Sequence, residues 1–191
     1  MIILLLGPPG AGKGMQANLL SAEFRIPHMS TGRIFRKEIV EETSLGLKAK
    51  EFVQKGNYVP DSLVLEIVKK RIEKPNYKNG FILDGFPRTI SQAKGLDALL
   101  EEKGLKIKFV INLDIPENVV IDRITYRSII GEEDERKDDS PEVVKKRIDT
   151  YYQETKPLIN YYKERGVLSE INGNQNVVKV FSEINEVIQG K

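Results

Sequence analysis

The sequence predicts an α/β protein: one domain, residues 1–191, built on a doubly wound sheet of five parallel strands. Three observations lead there. An unbroken apolar run, Ile2-Ile3-Leu4-Leu5-Leu6, is closed by Gly7-Pro8-Pro9-Gly10, which suits a strand buried on both faces. Short β-branched or aromatic runs then alternate with helical stretches along the whole chain. A length of 191 residues accommodates one sizeable core but not two independent ones.

The elements follow in order. After the first strand, Gly14 to Phe24 carries Ala17, Leu19, Leu20 and Phe24 at three- and four-residue spacing, the mark of a helix packed on a sheet. Ile26 to Met29 is the second strand. Ser44 is expected to cap a helix from Leu45 to Lys55, and Asp61, after Pro60, opens another through Arg71. Phe81-Ile82-Leu83, Phe109 to Leu113 and Val167 to Ile171 supply the remaining strands. Ser140-Pro141-Glu142 combines a capping hydroxyl, a proline in the first helical position and an acid at the positive end of the dipole. That helix should run past Tyr151-Tyr152 to Tyr161-Tyr162 with a bend at Pro157, its tyrosines packing against the core. The polar run from Gly131 to Asp139 reads as a solvated loop.

Composition narrows the chemistry. Thirty Lys and Arg against 28 Asp and Glu leave a net charge of +2, too balanced for a general nucleic-acid or anionic-membrane binder. With no cysteine and one histidine, disulfides, Cys-ligated zinc, thiol chemistry and a Ser-His-Asp triad have little to work with. The opening apolar run is too short for a membrane span or signal core, so a cytoplasmic location is expected. His28 has no partner legible in the sequence and reads as a packed or surface imidazole.

The strongest motif is Gly7-Pro8-Pro9-Gly10-Ala11-Gly12-Lys13-Gly14, set between strand and helix. Glycines there let successive backbone N–H groups converge on phosphate oxygens, the helix offers its positive end, and Lys13 adds a charge that reaches the outer phosphates. The architecture is therefore of the P-loop NTPase type. Gly14 stands where the strict pattern has the Ser or Thr that holds Mg²⁺, so the ion needs another ligand. Asp84, at the carboxyl end of the third strand, is the natural replacement, holding Mg²⁺ through water. Arg36, Arg88, Arg123, Arg127, Arg136 and Arg147 fall near loops or helix ends and together suggest a cage for a second polyanion. Phosphoryl transfer to a phosphate acceptor needs positioning and charge stabilisation rather than a protein nucleophile, so the poverty of His and Cys is no obstacle.

The phosphate loop, Ser30-Thr31-Gly32, Asp84-Gly85-Phe86-Pro87-Arg88 with Gln92, Arg127, and Arg136-Lys137-Asp138-Asp139 with Arg147 resemble, in this order and spacing, the adenylate kinases, over nearly the whole chain. The resemblance implies reversible transfer of the γ-phosphate from MgATP to AMP, giving two ADP. It assigns the donor phosphates to Gly10, Ala11, Gly12, Lys13, Gly14 and Met15, and the donor base side to Arg123 and Gln175, with Arg127 on the donor phosphates. Arg36 and Arg88 would clamp the AMP phosphate, and Arg136 and Arg147 would bridge donor and acceptor. Thr31 and Gln92 would read the adenine of AMP, with backbone of Asn57, Tyr58, Val59, Gly85, Phe86, Pro87 and Arg88 lining that pocket. Two inserts are implied as well: an AMP-binding pair of helices at 30–59 and a short lid at 126–137, too short for zinc. Family members are monomers by default and some are trimers; no nucleic-acid or membrane partner is implied.

Three departures from the family pattern stand out. Met15 replaces a usual Thr, Arg33 replaces an acidic residue after Ser-Thr-Gly, and Gln175 replaces a common Lys. They suggest relaxed selectivity for the donor nucleotide. A kinase of broader acceptor range and a catalytically impaired nucleotide sensor are the rival readings; Thr31 and Gln92 speak against the first, and Lys13, Asp84 and the arginines against the second.

Overall fold

The computed structural model of the chain describes residues 1–130 and 140–190, and of 127–130 the backbone only. Five strands, β1 (Ile2–Leu6), β2 (His28–Ser30), β3 (Phe81–Asp84), β4 (Phe109–Asp114) and β5 (Leu168–Asn172), form one sheet in the order β2-β3-β1-β4-β5. Every pairing is parallel. Around it lie α1 (Lys13–Phe24), α2 (Thr31–Val40), α3 (Ser44–Gln54), α4 (Asp61–Ile72), α5 (Ile90–Glu102), α6 (Glu117–Ile130), α7 (Pro141–Thr150), α8 (Leu158–Lys163) and α9 (Val177–Gln189).

The alternation within β1 explains its unbroken apolar run. Ile2, Leu4 and Leu6 face a core shared with Phe81, Leu83 and residues of α4 and α5, among them Val64, Val68, Leu96 and Leu100. Ile3 and Leu5 face a second core with Ile82, Ile111, Ala17, Leu20, Val180 and Ile184, beneath α1 and α9. Both faces of the central strand are thus covered, as a parallel sheet requires. Among the described residues no helix is long and apolar enough to cross a membrane.

Register fixes where the loops leave the sheet. Ser30 pairs with Asp84 and Asp84 with Leu5, so β2, β3 and β1 end at one level and hand on to Thr31, Gly85 and the Leu6-Gly7 turn together. Helices α2 and α3 occupy the stretch between Ser30 and Val59.

Two local expectations need correction. The cap of α3 is Thr43, whose hydroxyl accepts the Gly46 N–H at 3.0 Å, and not Ser44. Two adjacent hydroxyls offer equal capping chemistry, and the turn out of α2 decides between them: Thr43 Oγ1 also bonds Glu38 Oε2 at 2.7 Å. The helix that begins at Pro141, with Ser140 accepting from Val143 N, runs on as expected but is α-helical only as far as Thr150. It passes into a π-helical turn, Tyr151–Thr155, in which Lys156 N donates to Tyr151 O at 2.9 Å, and α8 starts beyond Pro157. Pro157 has no N–H and its ring crowds the carbonyl four residues back, so the wider turn relieves a clash that a straight helix would suffer. The tyrosines do pack as expected: Tyr151 and Tyr162 are buried, each edge-on to its neighbour.

Candidate active site

Beyond the carboxyl ends of the strands lies one cleft, whose walls include Lys13, Thr31, Arg36, Asp84, Arg88 and Arg147. Its floor is the glycine loop. Gly12 caps α1 with φ of +88°, a left-handed conformation that an L side chain rarely adopts, and nothing lies within 4 Å of where its Cβ would be. The first turn of α1 therefore opens into the cleft with its N–H groups free of a side-chain cap. Lys13 folds back over the loop, donating to Gly7 O at 2.7 Å and Pro8 O at 2.8 Å.

Asp84 stands beside that turn. A Cβ built on Gly14 would lie 3.7 Å from Asp84 Oδ2, so the carboxylate covers the spot that a Ser or Thr side chain would otherwise approach. Burial works to raise the Asp84 carboxyl, but a hydrogen bond from His28 and the charges of Lys13, His28 and Arg88 outweigh it and hold the carboxyl below the ordinary range. It is ionised at neutral pH. His28 is thus not the partnerless imidazole expected from sequence: Nε2 lies 3.4 Å from Asp84 Oδ2 and Nδ1 2.9 Å from Asn18 Oδ1. Only the β2–β3 register, which sequence does not print, brings them together. No cluster of three His, Asp or Glu able to enclose a metal occurs among the described residues. A single ionised carboxylate next to a phosphate loop fits a Mg²⁺ ion that shares its ligands with nucleotide phosphates and water.

The other wall is a bonded network. Thr31 Oγ1 donates to Gly85 O at 2.9 Å, and Arg88 Nε donates to the same oxygen at 2.7 Å. Gln92 accepts Arg88 N–H at Oε1 and donates from Nε2 to Asp61 Oδ1, both at 2.7 Å. The Arg88 guanidinium lies 5.0 Å from the centre of the Tyr58 ring. Arg36 Nη1 and Arg88 Nη2 would stand 3.3 and 3.9 Å from a Cβ on Gly32, so two guanidinium groups converge on a residue with no side chain. Such a cradle suits a phosphate. Tyr151 also lines the cleft; burial above all pushes its phenol up, so it remains a neutral hydroxyl and not a base.

Asn57, Tyr58, Val59, Gly85, Pro87, Gln92 and Arg147 all line the cleft. Phe86 does not: its ring is buried in the core beneath. Arg123 and Gln175 lie on a separate shoulder, where Arg123 Nη2 donates to Gly173 O at 3.0 Å and Gln175 Nε2 to Asn172 O and Glu183 Oε1. Met15 is half exposed and Arg33 exposed. The Arg127 side chain, Arg136 and most of the expected lid lie outside the described residues. Sequence reasoning missed Asp61 as partner of Gln92, Thr155 in the cleft wall, and Gln16, whose buried amide donates to Val177 O at 3.0 Å. The one available signal was that Gln16 is polar on a helix face otherwise carrying Ala17 and Leu20.

The sequence has close relatives. The adenylate kinase family model matches residues 5–167. An adenylate kinase of Caldicellulosiruptor bescii is 45% identical over 208 positions, covering 96% of this chain and 97% of that protein. Those of Clostridium botulinum and Clostridium kluyveri are 42% and 45% identical, covering 98% and 95% of this chain and 98% and 94% of theirs. These alignments are longer than the 191 residues here, so each relative carries residues that this chain lacks. With a family model over most of its length and relatives of this similarity end to end, the chain belongs to the adenylate kinase family.

Proposed function

We propose that the protein transfers the γ-phosphoryl group of ATP reversibly to AMP, giving two ADP. The observation that carries this reading is the meeting, in one cleft, of the Lys13 loop with the guanidinium pair of Arg36 and Arg88. One element suits a triphosphate and the other a monophosphate. No nucleophile or base is required, since the acceptor phosphate is itself the nucleophile.

The backbone N–H groups from Gly10 to Met15 and the positive end of α1 bind the donor phosphates. Lys13 exchanges its loop carbonyls for the γ-phosphate and follows it during transfer. Asp84 would hold Mg²⁺, an ion that would supply charge neutralisation for the donor phosphates. Arg36 and Arg88 clamp the AMP phosphate, Arg147 with Arg136 spans the two nucleotides, and Arg127 meets the donor side. Adenine selection follows from the hydrogen-bond inventory. The single Thr31 proton is given to Gly85 O, so its oxygen offers only lone pairs; Gln92 retains one amide proton and one lone pair of Oε1. That set accepts an exocyclic amino group and supplies a donor beside it, as adenine needs, while a guanine carbonyl would face oxygen lone pairs. The helices at 30–59 and the lid at 126–137 are the parts expected to close and exclude water, adenylate kinases being a familiar example of enzymes whose lid shuts over bound substrate.

On the donor side the base meets Arg123 and Gln175, whose amide is already committed to Glu183, and Met15 brings no hydroxyl. Donors other than ATP are therefore expected to serve. A Mg²⁺-dependent matrix of ATP, GTP, CTP and UTP against AMP, GMP, CMP and UMP tests both halves. Activity confined to AMP, with several donors accepted, is the expected result. Activity with GMP or UMP rivalling AMP would overturn the acceptor assignment, and thousandfold losses in kcat/KM for every donor but ATP would overturn the donor one.

A further inference from the structure

We propose that Thr155 is a positioning residue for the acceptor phosphate clamp, ordering Tyr58 and Arg88 through a one-way hydrogen-bond relay; this rests on the reading of AMP as acceptor. Thr155 closes the π-helical turn that follows α7, is buried at 6% exposure, and lines the cleft. A threonine in a helix ordinarily gives its hydroxyl proton to the carbonyl one turn back. Thr150 does this, donating to Lys146 O at 2.7 Å. Thr155 instead donates to Arg88 O at 2.8 Å, across 67 positions of sequence.

The direction of the relay follows from proton counting. Thr155 has one hydroxyl proton, and Arg88 O, a carbonyl, only accepts. Tyr58 Oη lies 2.7 Å from the same Thr155 oxygen, so Tyr58 must be the donor. The chain is Tyr58 to Thr155 to Arg88, with every proton assigned. It holds the Tyr58 ring where the Arg88 guanidinium lies 5.0 Å from its centre.

Arg88 is then constrained at each of its other polar groups. Its N–H goes to Gln92 Oε1, its carbonyl receives Thr155, and its Nε donates to Gly85 O. Nη1 and Nη2 make no hydrogen bond among the described residues, and Nη2 points toward the bare Gly32 where Arg36 Nη1 also arrives. A fork so fixed can receive a phosphate without first losing side-chain freedom, the component of affinity that preorganisation supplies. Three separate pieces of chain meet at Thr155: the segment after α3, the loop after β3 and the turn after α7, the helix that carries Arg147.

The test is steady-state kinetics on Thr155→Val, Thr155→Ser and Tyr58→Phe, varying AMP and ATP separately, with melting curves alongside. Valine matches the shape of threonine but removes both bonds, and serine restores them. T155V is expected to raise KM for AMP about tenfold, as loss of two neutral hydrogen bonds implies, while KM for ATP stays within about twofold. T155S should return to within about twofold of the parent, and Y58F, which loses one bond and keeps the ring, should raise KM for AMP about threefold. An unchanged KM for AMP in folded T155V, an equal rise in both KM values, or failure of folded T155S to rescue would each overturn the relay. Should T155V not fold, Y58F decides on the same criterion. If the parent enzyme turns over another monophosphate and not AMP, the acceptor reading fails on its own, and the same variants are measured with that monophosphate.

Discussion

The two sides of the cleft are built on different principles. On the proposed acceptor side, the polar groups are buried side chains tied to distant parts of the chain: Thr31, Gln92 and Thr155 are 3%, 1% and 6% exposed, and each is bonded across the fold. On the proposed donor side, Lys13 bonds carbonyls of its own loop, the first turn of α1 presents backbone N–H groups without a side-chain cap, and Val177 and Val178, just after Gln175 in the chain, are exposed. A site of buried polar groups rejects a wrong base severely, because groups left unpaired away from water cost far more than a lost surface contact. An open shoulder with a backbone cradle would hold any nucleoside triphosphate nearly equally well, the donor reading proposed above. The comparison predicts an enzyme strict about its acceptor and lenient about its donor.

The largest effect should come where the two sides meet. Lys13→Met keeps the length of the side chain and removes its charge from the travelling phosphoryl group. With that electrostatic stabilisation gone, kcat is expected to fall about a thousandfold. Binding of AMP, measured by calorimetry without donor, should stay within about threefold, since Lys13 is held by carbonyls of its own loop, Gly7 O and Pro8 O. A comparable loss of AMP affinity would show that the two sides are not separable.

The comparison is sharpened by making one substitution on each side. Gln92 and Gln175 are the same residue in unlike surroundings, one almost fully buried and bonded to Asp61 and Arg88, the other half-buried on the shoulder and bonded to Glu183 and Asn172. Gln92→Leu strands the Arg88 N–H and the Asp61 carboxylate as well as the base, so kcat/KM for AMP should drop about a hundredfold. Gln175→Leu should change kcat/KM for ATP by no more than about threefold, because water replaces what the amide supplied. Equal losses from the two substitutions would break the distinction between the sides.

This difference also sets what sequence can reveal. The strands are legible because burial on both faces demands unbroken apolar runs, and the phosphate loop because its glycines and lysine are contiguous. The acceptor side is assembled from residues far apart, Thr31, Asp61, Arg88, Gln92 and Thr155, and no local pattern joins them. Thr31, Arg88 and Gln92 are found through family resemblance; Asp61 reads only as the start of a helix. Thr155 in Tyr-Tyr-Gln-Glu-Thr-Lys-Pro carries no signal, because its role depends on a π-helical turn that Pro157 induces. His28 escapes for the same reason, its partner Asp84 lying 56 residues away across a strand register.

The smallest effect, and the finest probe of the donor side, is Met15→Thr. Met15 sits in the first turn of α1, 53% exposed, and in the proposed site its backbone N–H would serve the phosphates whichever side chain it bears. A threonine hydroxyl there adds one hydrogen bond near the donor phosphates in a position open to water, where the net gain is small, so KM for ATP should fall by no more than about threefold. The phosphates are common to all four donors, and the hydroxyl stands on the loop rather than on the Arg123 shoulder proposed to meet the base. The ratio of kcat/KM for ATP to that for GTP should therefore stay within about twofold of the parent. A tenfold rise in that ratio would locate base discrimination in the phosphate loop, and the leniency attributed to the open shoulder would then belong to Met15 alone.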